Sequence, residues 1–457
     1  MPHSASPPPT QPQPTRKSPD DKGLLRRLTI RGSIWVLIGF GLGQLMRFAG
    51  NLVMTRLLFP EAFGMMGIVN AVISGLTMFS DVGLKPSIVQ NKRGEDPIFL
   101  RTVWTLQIFR GMGLAILAGI LAYPISVWNN SPDLFLVIAV TGLTSAVTGL
   151  NSSCLFLYSR RLQVGIPTIV GLFANFLSII TMIVWANWID ASVWALVVGA
   201  FMGAFVTLIV SHTLLAEIHM YPQWDKTAIN ELINFGKWIF ISTALGYFAS
   251  YMSVFIVSNY AGLTVLGIFI VARGLSRLAV EAITQLSHMV LFPVYSRLVE
   301  RDVQQLRTRM FKIRAILLTL FLPVMWIMAI WGDVIIEFLY DNRYHDAGWM
   351  LQISAIGAIA TTIVTTIRPV FLAKGDSFRS MLTGLERVII QLVGMIIGYE
   401  VAGIYGLIIG YAAADWLSYP LLVYHIYRYG VWLPWLDAAA FGSSILVIGT
   451  AFWIKLI

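Results

Sequence analysis

Thirteen apolar runs punctuate the chain, near 33–55, 62–84, 101–122, 134–158, 166–186, 192–215, 235–258, 264–291, 313–332, 348–372, 381–400, 404–425 and 437–455. Each has about the 20 residues that an α-helix needs to cross a bilayer core. Polar connectors separate them. The longest, AEIHMYPQWDKTAINELIN at 216–234, divides the first twelve runs into six and six. The pattern predicts an all-α polytopic membrane protein of two six-helix halves, 31–215 and 235–430, with an additional membrane helix in 431–457.

Polar positions inside the first run, SIWVLIGFGLGQLMRFAGNLVMT (33–55), share one side. Gln44, Arg47, Asn51 and Thr55 stand at i, i+3, i+7 and i+11, a single stripe on a helix. An arginine at that depth costs about 2.5–3.5 kcal/mol on insertion scales. The stripe is therefore expected to face a wet cavity or a partner helix.

Composition supports the membrane reading, with 57% hydrophobic and 12% charged residues; a soluble domain is nearer 25% charged. Residues 1–30 are expected to be a cytoplasmic arm. Its first 22 residues hold seven prolines and no apolar run, which predicts disorder. The first apolar run is too long for a signal peptide and lacks a small-residue cleavage site. Cys154 stands alone, so no intrachain disulfide can form.

The net charge of +9 is distributed by topology. Most Lys and Arg fall on alternate connectors: the arm before the first run, the loops with Lys85–Arg101 and Arg160–Arg161, the 216–234 linker, Arg297–Arg314, Lys374–Arg379 and Arg428. The opposite connectors carry Arg56 and Arg343 alone. The positive-inside rule makes the basic side cytoplasmic, with the amino terminus inside. Nucleic acid is not an expected partner, because the charge is spread among loops.

The seventh run echoes the first. At an offset of 203 residues Trp35 matches Trp238, Gly43 matches Gly246 and Gly64 matches Gly267. Both runs start on the same side, as in a parallel repeat whose axis lies along the membrane normal. The opposite connector 332–348, GDVIIEFLYDNRYHDAG, is a candidate gate lip or an ordinary loop.

The eighth run holds the second polar cluster. Arg273, Arg277 and Glu281 follow at i, i+4 and i+8, with Gln285 and His288 continuing along that side. Two arginines one turn apart repel, and one glutamate offsets part of that charge. The alternative is an internal Arg277–Glu281 pair with Arg273 bonded to carbonyls. The third run adds Gln107 and Arg110 at i, i+3; the second presents Asn70, Ser74 and Asp81; the fourth presents Thr144, Thr148 and Asn151. Single Ser, Thr and Asn residues are more often interhelical glue than ligand contacts. Arg368 is expected to snorkel, and Glu386 and Arg387 to sit near an interface. Asp415 lies deep in the twelfth run as partner of an arginine or carrier of a proton. Gly39–Gly43 and Gly406–Gly410 have the spacing of close helix contacts.

No phosphate-binding glycine loop, HExxH, cysteine pair or nucleophile elbow occurs. The histidines show no metal-ligand spacing. The reading is a non-enzyme without a resident cofactor or metal, with Glu281, His288 and Asp415 as candidates for proton or sodium linkage.

The stretches LLFPEAFGMMGIVNAVISGLTMFSDVGLKPSIVQNKRG (57–94) and LGIFIVARGLSRLAVEAITQLSHMVLFPVYSRL (266–298) resemble Wzx-like polysaccharide flippases of the multidrug/oligosaccharidyl-lipid/polysaccharide exporter superfamily. The resemblance covers most of 30–430; the proline-rich arm and odd helix count depart from it. It implies two six-helix lobes around a central cavity, alternating access, and export of an undecaprenyl-pyrophosphate-linked repeat unit across a bacterial cytoplasmic membrane for cell-surface polysaccharide synthesis. It carries Arg273 over as a cavity cation. The pyrophosphate or the sugars would then meet Arg47, Arg110, Arg273 and Arg277, with Gln44, Asn51, Asn70 and Gln107 as polar lining. Membrane lipid is a further expected partner, as are a polysaccharide polymerase and glycosyltransferases. Two alternatives stay open: a cation-coupled multidrug exporter, disfavoured because runs one and three to six hold no carboxylate, and a non-transporting scaffold for polysaccharide synthesis.

Overall fold

The structure is a computed structural model that describes residues 19–80, 83–215, 217–298 and 303–456. Among these residues there is no strand. The amino-terminal half comprises α1 (Pro19–Leu57), α2 (Pro60–Phe79), the short α3 (Leu84–Gln90), α4 (Pro97–Trp128), α5 (Asp133–Gly149), the short α6 (Cys154–Arg160), α7 (Gly165–Trp188) and α8 (Val193–Thr213). The carboxy-terminal half comprises α9 (Lys226–Leu286), α10 (Phe292–Leu298), α11 (Val303–Leu339), α12 (Ala347–Ile367), α13 (Pro369–Ala373), α14 (Ser377–Tyr427) and α15 (Pro434–Leu456). Local chemistry sets several starts. Pro97 follows an Asp96 cap that accepts from the Ile98 amide, and the Asp225 carboxylate caps α9 through the Thr227 amide.

Ten described helices are long and apolar enough to span a membrane, or eleven if the bent pair α5–α6 counts as one. Two of these are double. As one rod the 61 residues of α9 would reach roughly 90 Å, about three bilayer cores. Instead α9 breaks at Gly262 (φ +82°) and α14 at Ala402–Gly403 (φ +57° at the glycine), a backbone region open to glycine. Contacts prove that each folds back on itself. Arg273 bonds Ser253 across the first break, while Gly394 meets Gly410 and Gly398 meets Gly406 across the second. Splitting both hairpins restores the thirteen passages expected.

The halves form two lobes. In the first, α1 packs on α7, α4 on α5 and α7 on α8; in the second, α11, α12 and α14 gather around α9, and α15 lies against α11 and α12. The most extensive seam between lobes joins α2 to α9. Gly64 and Gly267 meet there: a Cβ on Gly64 would lie 1.9 Å from the Leu263 oxygen, and one on Gly267 would lie 1.8 Å from the Pro60 oxygen. The Gly39–Gly43 face packs on Thr168 and Leu172 of α7.

At the face opposite the basic loops, bonds between the lobes close the seam. Trp128 donates to Asn259 (2.6 Å), Ser258 to Asn129, Arg343 to the Arg56 carbonyl (2.8 Å) and Tyr344 to the Leu58 carbonyl (3.2 Å). The candidate gate lip at 332–348 thus contributes to the seal. An apolar cluster containing Met54, Leu58, Phe269, Tyr344 and Leu351 crosses both lobes beneath it.

Three expectations shift. The arm and α1 are continuous from Pro19, so 19–30 is helix; residues 1–18 and Asp81 lie outside the described residues. The linker is shorter than 216–234, since Asp225 starts α9 at Lys226. Arg314, grouped with the topological charges, is 1% exposed and bonds Asp437 of α15 (2.5 Å) and Thr366 of α12 (2.9 Å). Tyr419 and Trp432 donate to the other Asp437 oxygen (2.8 and 3.2 Å), so α15 is built into the lobe.

Candidate functional site

The second arm of α9 separates two cavities and contributes to both. The first, of about 270 Å³, lies between the lobes and is lined by Gln44, Arg47 and Asn51 of α1, and by Arg273, Arg277 and Glu281 of α9. The α1 stripe read from the sequence therefore faces the α9 cluster. Arg47 donates twice to the Gln44 side-chain oxygen (2.9 and 2.5 Å), and Gln44 donates across the lobes to Glu281. Glu281 stands 4.0 Å from Arg277, so the internal pair exists as a loose contact. Arg273 bonds the Ser253 hydroxyl (2.6 Å) and lies over the Phe269 ring. Three guanidinium groups thus share a small cavity with one carboxylate.

The second cavity, of about 470 Å³, lies inside the carboxy-terminal lobe and extends toward the basic face. Arg273 and Arg277 border it from α9, Arg368, Arg387 and Asp415 complete its charged lining, and His288 also lines it. Asp415 does not meet Arg47. It accepts from Arg387 and from the Thr361 hydroxyl (2.7 Å). His288 belongs to a π-helical turn, Ser287–Leu291.

Other expected site residues lie elsewhere. Arg110 ties α4 to α2, donating to the Ser80 hydroxyl (2.9 Å) and the Thr77 carbonyl (2.8 Å), and lines neither cavity. Gln107 donates to the Thr148 and Asn151 carbonyls (3.2 and 3.1 Å), the interhelical glue of a polar group in an apolar lobe. Asn70 is exposed and lines neither cavity. In the other direction, Arg368 and Arg387, assigned to the interface by their sequence positions, face the second cavity. The α14 break offered a signal: residues nearly equidistant from it, such as Arg387 and Asp415, must face each other in a hairpin. Among the described residues no group of three or more His, Cys, Asp or Glu could hold a metal ion.

Chemically, the interlobe cavity presents hydrogen-bond donors and excess positive charge where two bundles meet. Planar guanidinium groups grip phosphate and carboxylate oxygens in pairs. Such an excess of cations repels cationic cargo and attracts anions.

Comparison with known proteins agrees with this architecture. The family described as polysaccharide biosynthesis protein matches residues 53–348. The lipopolysaccharide biosynthesis protein WzxC of Escherichia coli (strain K12) is 20% identical over 435 residues, covering 90% of this chain and 85% of that protein. An uncharacterized membrane protein in the cps region of Klebsiella pneumoniae is 21% identical, covering 85% of this chain and 80% of that protein. Among solved structures, the lipid II flippase MurJ in an inward closed conformation superposes with a TM-score of 0.68 at 13% identity, covering 93% of this chain and 92% of that one. A multidrug resistance MATE family transporter of the MOP superfamily in its inward-facing conformation gives 0.66 at 14% identity, covering 85% and 94%. These structural likenesses establish the two-lobed fold.

Proposed function

The chain belongs to the polysaccharide biosynthesis protein family, and on that premise we propose that it flips a lipid-linked oligosaccharide from the inner to the outer leaflet of a bacterial cytoplasmic membrane. The observation that carries this reading is the convergence of Arg47, Arg273 and Arg277, from two lobes, on one cavity. A polyprenyl diphosphate headgroup brings negative charge and many acceptor oxygens, which match donors of this kind. The lipid tail stays in the bilayer while the head crosses between the lobes.

The basic face is placed in the cytoplasm by the positive-inside rule. With the opposite face sealed, this conformation loads from inside. Alternating access then requires the Gly64–Gly267 seam to open while the cytoplasmic side closes. Of the three side chains expected to link ion movement, Glu281 joins the lobes through Gln44, so we assign the coupling role to it. The cargo is the principal partner; a polymerase and glycosyltransferases act before and after the transport step. A drug-cation exporter fits less well, because the cavity offers three cations to one carboxylate.

The test is polymer export in a strain lacking the endogenous gene. Arg47→Ala and Arg273→Ala are expected to abolish surface polysaccharide and accumulate lipid-linked repeat units, with the protein still in the membrane. Export at the wild-type level in both variants would overturn the reading.

A further inference from the structure

The cavity inside the carboxy-terminal lobe has no part in the transport reading above, yet its chemistry is the more unbalanced of the two. Arg273, Arg277, Arg368 and Arg387 line it against a single lining carboxylate, Asp415. That carboxylate is committed to Arg387 and Thr361. Arg368 has one long bond, 3.5 Å to the Thr383 carbonyl, and its Nε is buried without a partner. Two hydroxyls of its lining, Ser287 and Ser354, are also buried without partners, at 1% and 3% exposure. An unsatisfied buried polar atom is destabilising. Unpartnered donors in the lining of a cationic cavity point to a ligand. Ser287 also opens the π-turn, a distortion that concentrates at functional sites.

The missing partner must be an acceptor. A guanidinium has five N–H donors and no acceptor, and a serine hydroxyl can also donate. Excess positive charge in a low-dielectric lobe further requires the acceptor to be anionic. We propose that this cavity is a second anion subsite for a phosphate or carboxylate group of the cargo. Arg368 holds the anion, Ser287 orients it, and Asp415 acts as an internal competitor that occupies Arg387 until the anion arrives. Arg273 and Arg277 border both cavities, so an anion moving between them stays in contact with arginine. The cargo assignment rests on the flippase reading; the anion binding does not.

The subsite is tested on the purified full chain in lipid nanodiscs, by calorimetric titration with pyrophosphate, glucuronate or neutral maltose. Binding of pyrophosphate places the lipid diphosphate here, binding of glucuronate places an acidic sugar, and both support the subsite. Maltose is expected not to bind. Arg368→Gln should weaken the bound anion about tenfold or more, the loss of a charge-assisted bond, with partial recovery in Arg368→Lys. Asp415→Asn should tighten binding several-fold by freeing Arg387, a direction that a merely structural role does not give. Ser287→Ala, which removes one hydroxyl without unfolding the lobe, should weaken binding at an unchanged melting temperature. The subsite is overturned if neither anion binds, if maltose binds as well as the anions, or if Arg368→Gln and Ser287→Ala bind like wild type. Flipping by the wild-type protein in vesicles separates the two claims: its absence sinks the transport reading, whereas normal flipping with unaltered Arg368→Gln binding sinks the subsite alone.

Discussion

Gly64 and Gly267 meet backbone to backbone between the lobes, and their contacts are reciprocal: Gly64 lies against the Leu263 carbonyl and Gly267 against that of Pro60. Leu263 and Gly267 stand 203 positions after Pro60 and Gly64, the offset of the internal repeat. A contact that maps onto itself under the repeat is a contact on a local two-fold axis. The weak sequence echo is therefore the trace of paired bundles. The axis runs through the seam that must open for cargo to leave.

A side chain at this axis should wedge the seam. Gly267→Leu puts a bulky group where even a Cβ would lie 1.8 Å from a backbone oxygen, so overpacking of about 1–3 kcal/mol falls on the sealed state. The expected outcome is a shift toward the outward-open state, read as faster labelling of a cysteine introduced at Asn51. Labelling at the wild-type rate would show that the seam does not gate access.

Neutralising Glu281 should uncouple the lobes. Its carboxylate accepts from Gln44 and sits 4.0 Å from Arg277, so the string from Arg47 to Arg277 passes through this one acid. Glu281→Gln keeps the shape and removes the charge. Coupling through Glu281 predicts that an imposed proton gradient stimulates flipping by the wild type in vesicles and leaves this variant unaffected. A retained gradient response would move coupling away from Glu281.

Hydropathy and spacing revealed the thirteen passages and the faces of α1 and α9, because helix length and period are local properties. Neighbours across the bundle are not local. Arg110 and Arg47 look alike in sequence, yet Arg110 turns to Ser80 and Thr77 while Arg47 turns to the cavity. Arg368 and Arg387 were hidden by lying close to the ends of their apolar runs, where snorkelling is the ordinary explanation. Arg314 was hidden by its basic neighbours; its partner Asp437 lies 123 residues on.

Breaking the Arg314–Asp437 pair should destabilise the carboxy-terminal lobe more than any cavity substitution. Both groups are 1% exposed, and Asp437 also accepts from Tyr419 and Trp432. Asp437→Ala strands a buried cation, at a cost of about 3–5 kcal/mol. A lowered melting temperature of the detergent-purified protein is expected, with partial recovery when Arg314→Met is added. An unchanged melting temperature would show that α15 is held by apolar packing alone.

The linker should come loose in acid, and the direction follows from Asp225. Hydrogen bonding from Arg93 (2.9 Å), then from the Thr227 amide, holds its carboxyl below the usual carboxylate range. A group lowered on folding contributes stability above its unfolded value of about 3.9, and loses it as pH falls through the lower folded value. Arg93 also bonds Asp96 (3.0 Å), and Asn91 bonds Glu231 (2.6 Å), so one cluster pins the start of α9 to the loop after α3. The docking is expected to survive at about pH 5 and to fail only as pH falls below the usual carboxylate range, read as faster amide exchange or proteolysis at 217–226. Asp225→Asn removes the charge, so it should show the exposed linker at neutral pH and a flat response to acid. If Asp225→Asn and wild type exchange alike at pH 7, the anchor lies in the backbone packing rather than in the ion pair.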